Sequence, residues 1–112
     1  MKGKELSHLG KEIMELAGWK FYSMNSNHPF PRGMLGFADH TCFKNGVVIF
    51  AEVKGEGDKL RPKQEEFKEL FNDTTPQVQY RIIESAEDWL ECADYDGATY
   101  PAWACHICGG DH

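Results

Sequence analysis

The sequence predicts an α/β fold in which helices flank a small mixed sheet, with the element order α-β-β-β-α-β-α. Three observations lead to this prediction: an amphipathic segment near the start of the chain, two apolar segments joined by Asn45-Gly46, and a later alternating segment between two helical patterns. Because 112 residues are enough for one hydrophobic core and not for two, we expect one globular domain.

The first helix is predicted over residues 4 to about 17, where apolar side chains recur at helical spacing and Gly18 closes the pattern. Residues 19–24 are rich in aromatic side chains and predict a strand. Residues 25–36 contain two prolines and two glycines, which predict a loop. The apolar stripe of the helix consists of Leu6, Leu9, Ile13 and Leu16.

The next two strands form a hairpin around Asn45-Gly46, a dipeptide that favours a two-residue type I′ turn. Pairing outward from this turn places Asp39 directly opposite Glu52, with the two Cβ atoms about 5 Å apart on one face of the sheet. Lys54 joins that face because side chains alternate along a strand. The predicted strands are residues 37–44 and 47–54.

The second half of the chain predicts two helices and one strand. A charged loop leads to Pro62, a residue suited to the first turn of a helix, and this helix runs to about Phe71. Residues 77–83 alternate in polarity and predict the fourth strand. Residues 85–88 resemble a capping box and start the third helix.

Two carboxylates that face each other across a hairpin repel, and burial makes the repulsion more costly. A divalent cation between Asp39 and Glu52 relieves it, and such hard oxygen ligands suit Mg²⁺ or Mn²⁺. The alternative is that both acids lie at exposed strand ends and bind nothing. The register and the position of Lys54 favour the metal site.

Composition narrows the class of protein. The net charge of −6 argues against a generic nucleic-acid coat protein, which would be basic, but not against an enzyme that meets DNA through a local basic strip. No apolar segment is long enough for a membrane span or a signal peptide, so we expect an intracellular protein. Its four cysteines are then thiols or metal ligands.

Three motifs resemble those of a known nuclease family. They are G-x-x-D in "GFAD", E-V-K in "FAEVK", and "KLRPKQ" at the start of a helix. In this order and spacing they resemble the PD-(D/E)XK superfamily and, within it, the VRR-NUC domain of the Fanconi-associated nuclease and of small stand-alone phage proteins. The similarity spans about residues 5–92. Ala38 stands where the superfamily name expects proline, a position that shapes the backbone and binds no metal.

The resemblance implies a restriction-endonuclease-like core and metal-dependent cleavage of DNA, often at flapped or branched structures. It also implies that the protein acts in the cytoplasm of a bacterial or phage-infected cell. It implies that Asp39, Glu52 and the backbone carbonyl of Val53 bind Mg²⁺ or Mn²⁺, and that Lys54 is the catalytic lysine. The helix glutamine of the family corresponds to Gln64. This residue shares a helical stripe with apolar side chains, so its amide is expected to point into the fold, either as a site residue or as a satisfied core amide.

The family also places a glutamate of the first helix near the metal. Glu5 is the preferred candidate, and Glu12 lies on the same helical face two turns later. Basic residues around the loop beside the site are candidates for contacts with DNA phosphates, which would make binding depend strongly on salt. They are Lys59, Arg61, Lys63 and, in the earlier loop, Arg32. A solvated loop is the alternative for Lys59 and Lys63.

The C-terminal segment, residues 96–112, is predicted as a Cys/His-rich tail after a nuclease-like domain at residues 1–95. Cys105, Cys108 and His112 have a spacing typical of zinc ligands, and the alternative is a reduced tail without metal. The candidates for a fourth ligand are Cys92, His106 and Asp111, and a zinc ion shared between two chains is a further alternative.

The sequence thus supports a metal-dependent, structure-selective DNA endonuclease that cuts flaps or four-way (Holliday) junctions. Symmetric cleavage of two strands by so small a domain needs a twofold homodimer. The alternative is a non-catalytic module on a nuclease-like fold that binds nucleic acid or protein and carries a zinc tail. An enzyme of the same superfamily that acts on RNA is a third hypothesis, since no feature reads the 2′-hydroxyl.

Overall fold

A computed structural model of the chain describes residues 2–24, 38–55, 57–71 and 75–104. The elements follow the predicted order. They are α1 (Gly3–Leu16), β1 (Lys20–Ser23), β2 (His40–Lys44), β3 (Val47–Val53), α2 (Pro62–Glu69), β4 (Val78–Ile83), α3 (Ala86–Asp94) and a short 3-10 helix (Ala102–Ala104). The α/β class is therefore confirmed. Among the elements of the described residues, the closing 3-10 helix is the one that the sequence did not predict.

The four strands form one mixed sheet in the order β1-β2-β3-β4. The pairs β1/β2 and β2/β3 are antiparallel, and β4 runs parallel to β3. The parallel pair needs a crossover, which α2 and its flanking loops supply. Since β1 and β4 are the edge strands, the hairpin lies in the centre of the sheet.

The hairpin turn has the predicted geometry. Asn45 has φ of 49° and Gly46 has φ of 82°, and two positive values at the central residues define a type I′ turn. Lys44 pairs with Val47, and the register continues to His40 and Ala51. The register inferred from the Asn-Gly dipeptide is confirmed.

One face of the sheet is covered by α1 and α3, and we call it the helix-pair face. The two helices approach closely at Gly10, where an added Cβ would lie 2.1 Å from Cε2 of Trp89. The indole Nε1 of Trp89 donates to the backbone oxygen of Leu6 over 2.8 Å. The sheet contributes buried side chains to this core, namely Cys42, Val47, Ile49, Ala51 and Ile83.

The stripe predicted for α1 is wrong at one position. Leu16 is 89% exposed, whereas Leu6, Gly10 and Met14 are buried. At 3.6 residues per turn, Leu16 is rotated by about 80° from Leu6 around the helix axis. The glycine, which carries no apolar side chain for a sequence pattern to register, takes the central position instead.

The opposite face, which we call the α2 face, is partly covered by α2. Its core is aromatic: the ring centroid of Phe50 lies 5.4 Å from that of Phe67 and 4.6 Å from that of Phe71. The ring of Tyr80 lies 5.8 Å from Phe67. These contacts hold α2 over β3, and Gln64 on the first turn of this helix is buried against the sheet.

The chain beyond α3 packs back onto the helix-pair face. Trp103 and Ala104 belong to the main core cluster, and the Arg81 guanidinium lies 4.8 Å from the centroid of the Trp103 ring. Arg81 also pairs with Asp88, which joins β4 to the first turn of α3. The ordered packing therefore extends at least to residue 104. In the described part of the chain, no helix has the length and apolarity needed to cross a bilayer.

Candidate metal centre

The two predicted metal ligands lie at the open end of the hairpin. Asp39 directly precedes β2, and the register that pairs His40 with Ala51 places it opposite Glu52. Oδ2 of Asp39 accepts a hydrogen bond from the backbone N–H of Val53 over 2.9 Å. The Asp39 and Glu52 side chains are close enough to hydrogen-bond each other. The structure thus brings the two acids together on the α2 face.

The backbone N–H and C=O of Val53 both point towards Asp39. Within a strand, the N–H and C=O of one residue point towards the same neighbouring strand. The N–H of Val53 reaches Asp39, whereas the N–H of the next residue, Lys54, donates to Ile83 of β4. The Val53 carbonyl is therefore directed to the side on which Asp39 lies, as a third oxygen ligand requires.

Glu52 is 1% exposed, and its environment disfavours the charged form. Burial raises the pKa of the Glu52 carboxyl well above its usual range, and the hydrogen bond and negative charge of Asp39 raise it further. The positive charges of Lys54 and Arg61 act in the opposite direction. A cation bound between the acids would restore the charged form, because it adds the compensating charge that the protein alone does not supply.

Gln64 joins the acid pair to the lysine. Its Nε2 donates to Oε1 of Glu52 over 3.0 Å, and its Oε1 accepts from Nζ of Lys54 over 2.8 Å. The same Oε1 accepts from the backbone N–H of Arg61, the residue that precedes α2, over 2.8 Å. A side chain at the third helical position that reaches back to the N-cap is one half of a capping box. Helix geometry thus fixes the amide that orients Lys54.

Glu5 lies on the first turn of α1, and this turn adjoins the end of β3. A Cβ added to Gly55 would lie 3.3 Å from the backbone nitrogen of Gly3. The Glu5 side chain itself is exposed. Glu12 is two turns further along, about 10 Å from Glu5 along the helix axis, and its carboxylate is 4.0 Å from Nε2 of His8. The placement of the helix favours Glu5 over Glu12.

Three of the predicted DNA-contacting residues are exposed beside the start of α2. They are Lys59, Arg61 and Lys63. The charge of Arg61 acts on Glu52, whereas Nζ of Lys63 lies 3.5 Å from Oε2 of Glu66 in a surface ion pair. Arg32 lies outside the described residues.

The zinc ligands predicted for the tail, Cys105, Cys108 and His112, also lie outside the described residues, as do His106 and Asp111. Cys92, the remaining candidate for a fourth ligand, is fully buried in the main core cluster. Burial raises the pKa of its thiol, which disfavours the thiolate that binds zinc. These observations argue against Cys92 as a zinc ligand.

A comparison with solved structures finds a VRR_NUC domain with a TM-score of 0.62 and 20% sequence identity to this chain. The match covers 83% of this chain and 95% of that one. This chain has the VRR-NUC fold. The resemblance drawn from the three motifs is confirmed at this level. No family model matches the sequence, and no curated protein matches it.

In this VRR-NUC fold the donor set fits a hard divalent cation. Among the described residues there is no cluster of three His, Cys, Asp or Glu side chains that could hold a metal. Magnesium sites commonly use one or two carboxylates and complete their octahedron with waters and substrate phosphates. Asp39, Glu52 and the Val53 carbonyl match that pattern.

The sequence prediction missed two kinds of residue on the α2 face. Tyr80 lies on β4 diagonally from Glu52. Burial raises the pKa of its hydroxyl, and the charges of Glu52 and Asp39 raise this pKa further. Tyr22 and Phe43 are exposed aromatic side chains on β1 and β2. The alternation of side chains along residues 19–24 could have predicted the position of Tyr22, because it places this residue on the face opposite Trp19 and Phe21.

Proposed function

We propose that this chain is a Mg²⁺- or Mn²⁺-dependent, structure-selective DNA endonuclease. The observation that carries the proposal is the contact between half-buried Asp39 and buried Glu52, which Gln64 joins to Lys54. Two carboxylates this close, one of them buried, destabilise a fold through repulsion and desolvation, whereas a divalent cation bound between them offsets both effects. The VRR-NUC fold agrees with this chemistry.

Asp39, Glu52 and the Val53 carbonyl would hold the cation. When bound, it neutralises charge on a phosphodiester and lowers the pKa of a coordinated water. Lys54 lies beside the acids and carries a positive charge, so it can stabilise the charge that develops on the phosphate or position the nucleophile. Gln64 sets the direction of Lys54, and Glu5, on the adjoining helix turn, is the candidate for binding a further water.

The substrate is proposed to be branched DNA, such as a flap, a splayed arm or a four-way junction. The basic residues near the start of α2 and Arg32 would contact its phosphates. Cleavage of both strands of a junction requires two sites, so the active form is proposed to be a homodimer. The tail, through Cys105, Cys108 and His112, is proposed to bind zinc apart from the catalytic centre.

The direct test is a panel of labelled duplex, flap, splayed-arm and four-way-junction DNAs, incubated with Mg²⁺ or Mn²⁺. We expect cleavage of the branched forms and at least a 100-fold loss in Glu52→Gln and Lys54→Ala, on the scale of lost electrostatic stabilisation. Glu87→Gln, which changes an exposed acid at the start of α3, is the matched control and should cut normally.

Wild-type cleavage by Glu52→Gln would refute the assignment of the site. If folded wild-type protein cuts no DNA and binds neither metal, the alternative of a non-catalytic binding module replaces the nuclease. Cleavage of the equivalent RNA in preference to DNA would show that the substrate is RNA, as in the third hypothesis.

A further inference from the structure

A strip of aromatic and basic side chains lies on the α2 face beside the candidate metal centre. It consists of Lys20, Tyr22 and Phe43, and we call it the aromatic strip. Lys20 pairs with Phe43 in the sheet, and Tyr22 pairs with Thr41, so all of them project from the same face. The rings of Tyr22 and Phe43 lie 5.7 Å apart at 71°, an edge-to-face contact.

The strip leads towards the acid pair. Thr41, the partner of Tyr22, is two residues from Asp39 on the same face, a separation of about 7 Å along the strand. The backbone N–H of Met24 donates to the carbonyl of Asp39 over 2.8 Å, so β1 runs beside Asp39 as well. A DNA strand whose phosphate is bound at the acid pair can therefore place the neighbouring nucleotide against Tyr22.

The exposure of these rings is unusual for this sheet. On the β3 and β4 half of the same face, Phe50 packs under Phe67 and Phe71. On the β1 and β2 half, Tyr22 is 59% exposed and Phe43 is 42% exposed. The exposed ammonium of Lys20 lies next to them, which suits a polyanion and not an apolar protein partner.

We propose that the aromatic strip is a stacking platform for an unpaired base next to the phosphate that is cut, with Lys20 contacting the backbone of the same strand. The proposal rests on the nuclease function above and specifies the part of the substrate that the site recognises. Aromatic rings stack on any base, whereas bases inside a duplex are already stacked on their neighbours. The strip thus gives a physical reason for preferring branched DNA over duplex.

The test measures binding separately from cleavage. In an Asp39→Asn background, a splayed-arm DNA carries the fluorescent base 2-aminopurine at its first unpaired position. We expect quenching on binding, and about tenfold weaker binding when Tyr22→Thr removes the ring, on the scale of one stacked base. Thr keeps the strand propensity of β1. Tyr22→Phe should behave as the parent, and Tyr100→Ala is the matched control at another exposed tyrosine.

Equal loss of affinity for duplex and splayed-arm DNA, or no loss for either, would overturn the platform. A change of oligomeric state in Tyr22→Thr, measured by sedimentation, would also overturn it, because the strip would then be a contact between copies of the chain. The two proposals fail separately. If Tyr22→Thr cleaves at the wild-type rate and selectivity, the stacking platform is refuted and the nuclease function is not. If the wild-type protein quenches 2-aminopurine on binding but cleaves no DNA, the nuclease function is refuted and base stacking is not.

Discussion

Lys54 donates a hydrogen bond from Nζ to Oε1 of Gln64 over 2.8 Å, and the other end of that amide donates to Glu52. One neutral side chain therefore fixes the direction of a lysine and the orientation of a buried carboxyl. Because Gln64 occurs on the first turn of α2, the position of that helix decides the geometry of the centre.

Replacing Gln64 tests this relationship. Gln64→Met keeps the volume of the side chain and removes all three hydrogen bonds of the amide, including the one from Nζ, so Lys54 loses its orientation. We expect a 10- to 100-fold lower kcat with a smaller change in KM, the range found when residues that orient metal ligands are removed. Steady-state cleavage of a splayed-arm DNA measures it. Glu66→Gln, an exposed change on the same helix, should leave kcat unchanged.

Metal binding should release protons. The pKa of Glu52 is raised in the metal-free protein by burial and by Asp39, so the bound cation must displace a proton. We expect calorimetric titrations with Mn²⁺ in two buffers of different ionisation enthalpy to give a release of about one proton per site at neutral pH. Glu52→Gln should abolish binding, and Glu87→Gln should not. A titration in Glu52→Gln that matches wild type would contradict this prediction.

The contribution of Glu52 to the stability of the metal-free protein should fall as pH rises. The folded-state pKa of Glu52 lies above its ordinary value of 4.5, so the folded state binds more protons than the unfolded state above that pH. The contribution of this carboxyl is complete below pH 4.5 and is lost progressively towards the raised folded pKa. Urea unfolding in EDTA from pH 5 to 8.5 measures it. The free energy of unfolding should decrease less with pH in Glu52→Gln than in the wild type. An equal or steeper decrease in Glu52→Gln would contradict the prediction.

Gly10 should not tolerate a side chain. A Cβ there would lie 2.1 Å from Trp89, so Gly10→Ala must push α1 away from α3. We expect a loss of about 1–3 kcal/mol in the free energy of unfolding, as in overpacked cores. Gly3→Ala on the same helix is the control, since its Cβ would meet Val53 at an ordinary 3.9 Å. Equal stability of both variants in urea would show that the helix contact is softer than the geometry indicates.

The parts of the fold that depend on neighbouring residues were predictable. Asn45-Gly46 determines a turn through its own backbone preferences, and this turn sets the register that brings Asp39 to Glu52. The start of α3 is equally local, since Ser85 accepts from the backbone N–H of Asp88 in the expected capping box. The inward direction of Gln64 followed from helical periodicity.

Contacts between distant segments were not predictable from these patterns. Leu16 has the spacing of a core residue and is exposed, because the close approach of α1 to Trp89 turns Gly10 towards the core. The packing of Trp103 on Arg81 likewise joins residues from different elements. The exposure of Tyr22 and Phe43 depends on which half of the sheet α2 covers.

The sequence by itself determined the order of the elements, the hairpin register and the meeting of two acids, because turns, caps and strand alternation act over a few residues. Only the tertiary structure decided how deeply Glu52 is buried, which groups the Gln64 amide joins and which aromatic side chains stay at the surface. Those properties depend on the distance and angle between elements far apart in the chain, and packing sets them after the local structure has formed.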